Sequence, residues 1–425
     1  MLTSDTSRSI GRVPLSSVLV LAGPGLVVAA AGIGSGDVVA STVGGAKYGV
    51  VLLWSILVGA FMKFVLSEGI ARWQLGTGTT VLEGWAEHLP VWVTVYFGLY
   101  LVLWTVSVSA ALTNATGLGI TNLSGGAISQ SWGAVLHSLL GFTFVLLGGY
   151  AGFEKTMKTL VAVMGFSVLI CAVLLIQRPA EIARGLVVPT IPQDGAWQVL
   201  SLIGGIGGSI TILSYNYWMR EEGLVGSEYL TYVRYDVAIA YLFTAIFGIS
   251  IMLIASEAFF AAGITITDAQ AVSKMAETLG SRLGAFGRYT YSIGFWAAVF
   301  ASLLGVWQSV PYLFADFYSV VKKQPAAVRA ETVKTTSAAY RLALVFITLV
   351  PLPFAFVGRP LLVIVTYTIV GSMFIPFLAA TLLYLNNRVA WSGTVPRNHW
   401  TTNLLLVLIV ALFVAVGARE ILSAL

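Results

Sequence analysis

Two glycine-rich stretches carry the residues that are best placed to bind a ligand. The first, Gly32-Ile33-Gly34-Ser35-Gly36-Asp37, lies inside an apolar segment long enough to cross a bilayer. Each glycine costs roughly 1 kcal/mol relative to alanine in a helix interior, so this run predicts a break in the helix. Backbone groups freed at membrane depth need cover from protein or from a water-lined cavity. Gly34, Ser35 and Asp37 are therefore candidate ligand contacts, and the Asp37 carboxylate and the Gly34 backbone are candidate metal ligands.

The second stretch, Gly204-Gly205-Ile206-Gly207-Gly208-Ser209, has the same character. Interrupted spans at corresponding places in two halves of a chain point to the binding site of a membrane transporter. Several polar side chains follow this break, and one more lies in a later apolar segment. These further candidate contacts are Ser209, Thr211, Ser214, Tyr215, Asn216 and Gln308, and the apolar Leu213 among them is a candidate contact as well.

Each candidate also has a structural explanation. Asp37 could cap the second half of the broken helix, since aspartate satisfies free amides at helix N-termini, and this role is compatible with ligand binding. The hydroxyl groups could bond back to helix carbonyls. The glycines could serve only close helix packing, and Gln308 could cross-link two helices.

Charged residues elsewhere in the apolar segments are few. Lys63 and Glu68 lie in the second segment, where we expect Glu68 to pair with Lys63 or Arg72, although a proton-carrying role for Glu68 is the alternative. Asp316 and Glu257 lie near segment ends, where we expect them to be solvated. The three histidines are scattered and form no metal-binding motif.

The composition identifies an integral membrane protein. Of 425 residues, 58% are hydrophobic and only 10% are charged, and the mean hydropathy is +0.90; soluble proteins carry roughly 25% charged residues. The net charge of +5 indicates basic loops at a membrane and not a nucleic-acid partner. Cys171 is the single cysteine, so no intrachain disulfide is possible. The sequence has no residue spacing typical of hydrolases, kinases or phosphate loops. We therefore expect that the protein is not an enzyme and binds no cofactor.

Hydropathy predicts an all-α protein with about eleven spans, the first and sixth of which are broken. The predicted spans are 15–40, 49–71, 91–113, 133–150, 157–177, 198–219, 237–262, 290–315, 340–357, 361–385 and 402–423. Spans one to five can be laid over spans six to ten, and an odd number of spans per half inverts the second half. The predicted units are a tail at 1–12, five-helix repeats at 13–180 and 190–390, and an additional helix at 400–425.

The distribution of Lys and Arg predicts the orientation of a multi-pass cell-membrane protein. With the N-terminus in the cytoplasm, 14 of these residues fall inside and 8 outside, counting those near span ends with the adjoining side, and Lys63 alone lies more than five residues from both ends of a span. Cytoplasmic loops carry the excess of Lys and Arg, so this orientation is favoured. An odd number of spans then puts the C-terminus outside.

Four sequence motifs, distributed over most of the length of the chain, resemble motifs of a known family. They are Gly23-Pro-Gly25, Gly45-Ala-Lys-Tyr-Gly-Val-Val-Leu-Leu-Trp54, Ala71-Arg-Trp-Gln-Leu-Gly-Thr-Gly78 and Pro376-Phe-Leu-Ala-Ala. Their types and order resemble the natural resistance-associated macrophage protein (Nramp) family of metal-ion transporters. The resemblance implies a LeuT-type 5+5 inverted repeat and proton-linked uptake of divalent cations such as manganese or iron.

The departures from the family pattern fall on its metal site. The family motif Asp-Pro-Gly-Asn aligns with Gly34-Ser35-Gly36-Asp37, so Gly34 takes the place of the ligand aspartate and Asp37 that of the ligand asparagine. The motif Met-Pro-His-Asn aligns with Leu213-Ser214-Tyr215-Asn216, which removes the thioether and the histidine. No acidic residue lies between Val91 and Thr113, where the family has proton-carrying acids. In span ten, Thr368 lies near the position at which the family has a glutamine.

These departures change the expected cargo. Thioether ligands favour softer transition metals, and Leu213 stands where the family has its methionine. Oxygen ligands suit hard cations that keep part of their water shell.

We therefore predict a secondary active transporter that binds a divalent cation at the membrane midplane, without support for proton coupling. A LeuT-type carrier of a small organic solute such as an amino acid, or a non-transporting sensor or partner subunit, are the alternatives. The predicted partners are the lipid bilayer and the cargo; the sequence does not predict the oligomeric state.

Overall fold

The computed structural model describes residues 23–264, 271–358, 360–388 and 397–424, and every regular element in this part of the chain is helical. The predicted tail at 1–12 and the start of the predicted first span lie outside the described residues. The helices are α1 Pro24–Gly32, α2 Ser35–Tyr48, α3 Leu53–Thr77, α4 Val81–His88, α5 Val91–Leu123, α6 Gln130–Leu147, α7 Tyr150–Leu175, α8 Pro179–Val187, α9 Ala196–Gly205, α10 Tyr215–Glu221, α11 Leu230–Ala255, α12 Ala271–Val321, α13 Ala326–Thr332, α14 Ala338–Leu349, α15 Pro360–Ser372, α16 Phe374–Leu385 and α17 Trp400–Ala424.

The described residues form a multi-spanning helical bundle. Nine helical segments are long and apolar enough to cross a membrane, and the bent pair α1 and α2 makes a tenth. A shorter apolar stretch, Trp400–Ala415, lies where the eleventh span is predicted. The exact number of spans and the repeat relationship remain predictions.

The first span is broken where the glycines predict it. Helix α1 ends at Gly32 and α2 begins at Ser35, and the two are bent by 58°. Ile33 and Gly34 between them have extended backbone. The prediction of this break is therefore confirmed.

The sixth span is also broken at its glycines. Helix α9 ends at Gly205, and the chain returns to helix through a 3₁₀ turn, Ile210–Ser214, that leads into α10. Gly207 and Gly208 both have positive φ, +80° and +82°. Residues that carry a side chain rarely adopt positive φ values, so the two consecutive glycines allow the backbone to change direction here.

The two breaks touch each other inside the bundle. A Cβ on Gly32 would lie 2.8 Å from the carbonyl oxygen of Gly207, and one on Gly208 would lie 3.1 Å from the Cα of Gly32. Helix α12 covers the end of α1, where the Ser302 hydroxyl donates to the carbonyl of Ala31 over 2.7 Å. Close packing and helix breaking are thus served by the same glycines.

The polar connections are more structured than hydropathy predicts. The connection at 178–197 contains α8, and the connection at 316–339 contains the end of α12 and all of α13. The expectation that Asp316 and Glu257 are solvated is wrong, because both are buried. Asp316 accepts hydrogen bonds from Thr80 and Tyr217 (both 2.8 Å), and Glu257 pairs with Arg178 at 3.2 Å.

Candidate functional site

Asp37 lies at the contact between the two breaks and is only 3% exposed. Its Oδ2 accepts a hydrogen bond from the backbone amide of Gly34 (3.0 Å), and its Oδ1 accepts one from the amide of Gly207 (2.7 Å). The structural alternative made Asp37 the N-cap of α2; Gly34 holds that position, and Asp37, the third residue of the helix, reaches back to its amide and so satisfies a free amide at the helix start. The second bond reaches the other broken span. One carboxylate therefore satisfies freed amides from both breaks.

Lys63 provides the complementary charge at the same place. It is fully buried in α3, and its Nζ donates to the carbonyl of Gly204 (3.0 Å) and to that of Gly208. Asp37 and Lys63 lie close enough for their charges to interact. The freed carbonyls of the second break thus meet an ammonium, and its freed amide meets a carboxylate.

The sequence signal for Lys63 is its position as the one Lys or Arg that lies more than five residues from both ends of a predicted span. The expectation that Glu68 pairs with Lys63 or Arg72 is confirmed, and the partner is Arg72: Glu68 lies 3.1 Å from Arg72 and 2.9 Å from Arg234. Lys63 did not enter the predicted site because its partners lie more than a hundred positions further along the chain.

A small cavity adjoins the two breaks. Its volume is about 10 Å³, which is room for about one water molecule. Ser209 lines it and accepts a hydrogen bond from the Trp104 indole at 2.7 Å. The other lining residues are Gly36, Gly204, Gly205, Gly208, Tyr367, Thr368 and Gly371.

Four of the predicted site residues hold buried polar atoms that have no hydrogen-bond partner among the described residues. Buried polar groups are nearly always paired, so each unpaired one is a candidate contact for water or a ligand. Thr211 lies against the second break, because a Cβ on Gly208 would come 2.3 Å from its hydroxyl. The four atoms are Ser35 Oγ, Thr211 Oγ1, Ser214 Oγ and Asn216 Oδ1.

Four other predicted residues have protein contacts of their own. Tyr215 donates to Asp236 at 2.8 Å, and the side chain of Gln308 accepts from the Trp218 indole at 2.6 Å. Gln308 therefore cross-links α12 to α10, the structural alternative predicted for it. Leu213 is fully buried in the apolar core. Gly34 packs against Ser302, whose hydroxyl a Cβ on Gly34 would approach to 2.7 Å.

The candidate ligands at the two breaks are oxygen atoms. Within the described ranges, no group of three or more His, Cys, Asp and Glu side chains could hold a metal ion. The available oxygens are those of Asp37, the nearby hydroxyls and the freed carbonyls. Such a set suits a hard cation that keeps part of its water.

The family of the chain follows from a match over nearly its whole length. Residues 25–423 match the family described as "Natural resistance-associated macrophage protein-like". The chain belongs to the Nramp family. Two proteins that it resembles are the divalent metal cation transporters MntH of two Klebsiella pneumoniae strains. Each is 26% identical over 321 residues, which cover 72% of this chain and 75% of the relative.

Solved structures support the Nramp fold. The manganese transporter of Eremococcus coleocola, in complex with an aromatic bis-isothiourea substituted compound, matches with a TM-score of 0.70 at 14% identity, covering 95% of this chain and 87% of that one. MhsT in complex with L-phenylalanine matches with a TM-score of 0.60 at 17% identity, covering 92% and 98%. At such identities the likeness shows the fold alone, which is that of the Nramp and LeuT-type carriers.

Proposed function

We propose that this Nramp protein is a secondary active transporter that carries a divalent metal cation between its two helix breaks. The observation that carries this proposal is the Asp37 carboxylate at the point where the breaks meet. Helices α1 and α9 both end at these breaks, and helix C-termini carry partial negative charge. The MntH relatives, named as divalent metal cation transporters, support the same class of cargo.

The proposed ligands are oxygens from both breaks. Asp37 supplies the carboxylate, while Ser209 and Thr211 supply hydroxyls and Gly204 and Gly208 supply carbonyls. Gly34, Ser35, Ser214 and Asn216 contribute backbone or side-chain oxygens as the cargo moves. Because Leu213 offers no sulfur, we expect little preference for manganese over magnesium or calcium.

Binding requires the protein to move, because the described cavity holds about one water molecule. In alternating access one bundle of helices rocks against the other around the binding site. The half-helices α1 and α10 are the mobile elements that we expect to open one side. Asp37 would then exchange its amide donors for the hydrated cation.

Uptake of Mn²⁺, Mg²⁺ and Ca²⁺ into proteoliposomes tests the function. We expect the purified protein to carry at least one of them. Asp37→Ala and Asp37→Asn should abolish that uptake, because both remove the carboxylate charge, and Asn keeps one acceptor for the helix amides. Glu181→Ala, an exposed acid on α8, is the control and should leave uptake unchanged.

Three results would contradict the proposal. Wild-type uptake of every cation by both Asp37 variants would exclude this site. Uptake of amino acids without uptake of any cation would favour the organic-solute alternative. Saturable ligand binding without any flux would favour a sensor or partner subunit.

A further inference from the structure

The ammonium of Lys63 lies where a transported cation would find its carbonyl ligands. Gly204 is in the last turn of α9 and Gly208 is within the break, and Nζ donates to both carbonyls. These are oxygens that a helix break leaves without intrahelical partners. The lysine ammonium has three donors and no acceptor, so Nζ turns a positively charged group toward these oxygens, as a bound cation would.

The lysine is built into this position and does not reach it from the surface. Its side chain is completely buried, and its stem runs beside the second break, with Cγ 3.5 Å from where a Cβ on Gly207 would lie. Asp37 supplies the opposite charge from the first broken span. The pair thus neutralises both breaks without any bound ion.

We propose that Lys63 is a tethered cation that holds the carbonyls of Gly204 and Gly208 in the cargo-free protein and must be displaced when a divalent cation binds. This inference rests on the proposed function, since it assigns the transported cation to the same oxygens. A dication attracts Asp37 more strongly than the singly charged ammonium does, so the arrangement admits dications and resists monovalent ions. Lys63 would therefore weaken binding and select for charge.

The test compares cation binding by two substitutions of one lysine. Lys63→Met keeps the length of the side chain and removes the charge, while Lys63→Arg keeps the charge. Calorimetric titration of the detergent-purified full chain with MnCl₂ and MgCl₂ should show binding about tenfold or more tighter for K63M than for the wild type, because the like charge is gone. K63R should bind no better than the wild type. Lys158→Met, on the surface of α7 and paired with Glu154, is the matched control and should bind like the wild type.

Stability gives a second readout. K63M leaves two buried carbonyls without their donor, so we expect a lower Tm than the wild type in EDTA. Added MnCl₂ should raise the Tm of K63M more than that of the wild type, because the metal takes the place of the ammonium. Lys63→Gln keeps a neutral donor and serves as the second variant if K63M does not fold.

Failure of this inference can be distinguished from failure of the proposed function. If the wild type transports a cation but neither K63M nor K63Q binds it more tightly, the displacement proposal is overturned and the transport proposal stands. If the wild type carries no cation yet K63M binds Mn²⁺ tightly and gains stability from it, transport is overturned and the role of Lys63 is supported. Absence of cation uptake by the wild type together with absence of binding in all variants overturns both.

Discussion

Buried charges in this protein complete the ends of its broken helices. Asp37 does so at the start of α2, and Asp236 on α11 does so at the start of α1. Asp236 accepts hydrogen bonds from the amides of Gly23 (3.2 Å) and Gly25 (2.7 Å) and from the Tyr215 hydroxyl (2.8 Å). A carboxylate at a helix N-terminus satisfies free amides and complements the helix dipole. Asp236 therefore holds α1 against α10 and α11, next to the site.

Asp236→Asn should destabilise the protein by about 1–3 kcal/mol, because buried amides lose a charged acceptor. Tyr215→Phe removes only one of the three hydrogen bonds and should cost about 1 kcal/mol or less. Reversible unfolding in mixed detergent and SDS micelles measures both. Equal losses for the two variants would show that the tyrosine contact, and not the helix cap, carries the stabilisation.

At this scale the sequence predicted what is local and missed what is distant. The break at Gly34 and the capping alternative for Asp37 follow from residues three positions apart. The partners of Lys63 and Asp236 lie 141 and 211 positions away. Nothing in a hydropathy or propensity pattern pairs such residues, so the ammonium in the second break could not be predicted.

The second break depends on backbone conformation that only glycine adopts readily. Gly208 has φ +82°, and a Cβ there would lie 2.3 Å from Thr211 Oγ1. Gly205, three residues earlier in α9, has ordinary helical backbone and open space around its Cα. The two glycines thus have different roles within one run.

Gly208→Ala should destabilise the protein by about 1–3 kcal/mol through backbone strain and should reduce cation uptake, because the carbonyls of the break shift. Gly205→Ala is the matched control and should be neutral or slightly stabilising, since alanine favours helix. Unfolding in SDS and proteoliposome flux measure both effects. If the two variants behave alike, the break does not need the left-handed backbone at Gly208.

Hydropathy predicts the long apolar helices but not the short helices of the connections. Every predicted span overlaps a helix, because each is a long apolar run. The helices at 179–187 and 326–332 were not predicted, since they are short and partly polar and lie in connections that read as loops. Their formation depends on neighbouring helices, as Arg329 shows by pairing with Glu83.

Within the described residues, the segments that join the spans contact each other at two opposite ends of the helical bundle. Residues that follow spans of even number meet at one end, where Glu83 pairs with Arg329 and lies 3.6 Å from Arg220. The last residues of odd spans, the connections after them and the first residues of the next even spans meet at the other end. There Arg178 pairs with Glu257, and the Trp54 indole donates to the carbonyl of Thr190 at 3.1 Å. This alternation is what the predicted order of spans requires.

The charge bias predicts that the even end faces the cytoplasm, since the predicted loops at that end carry the excess of Lys and Arg. Single cysteines test this in a Cys171→Ser background, which removes the one native thiol. Lys322→Cys lies after an even span and Arg184→Cys after an odd one, and both positions are exposed. In intact cells a membrane-impermeant maleimide should label position 184 and not position 322, while both should be labelled after the membrane is permeabilised. Labelling of position 322 alone in intact cells would show that the orientation is the reverse of the predicted one. The half-helices expected to open toward one side of the membrane would then open toward the other.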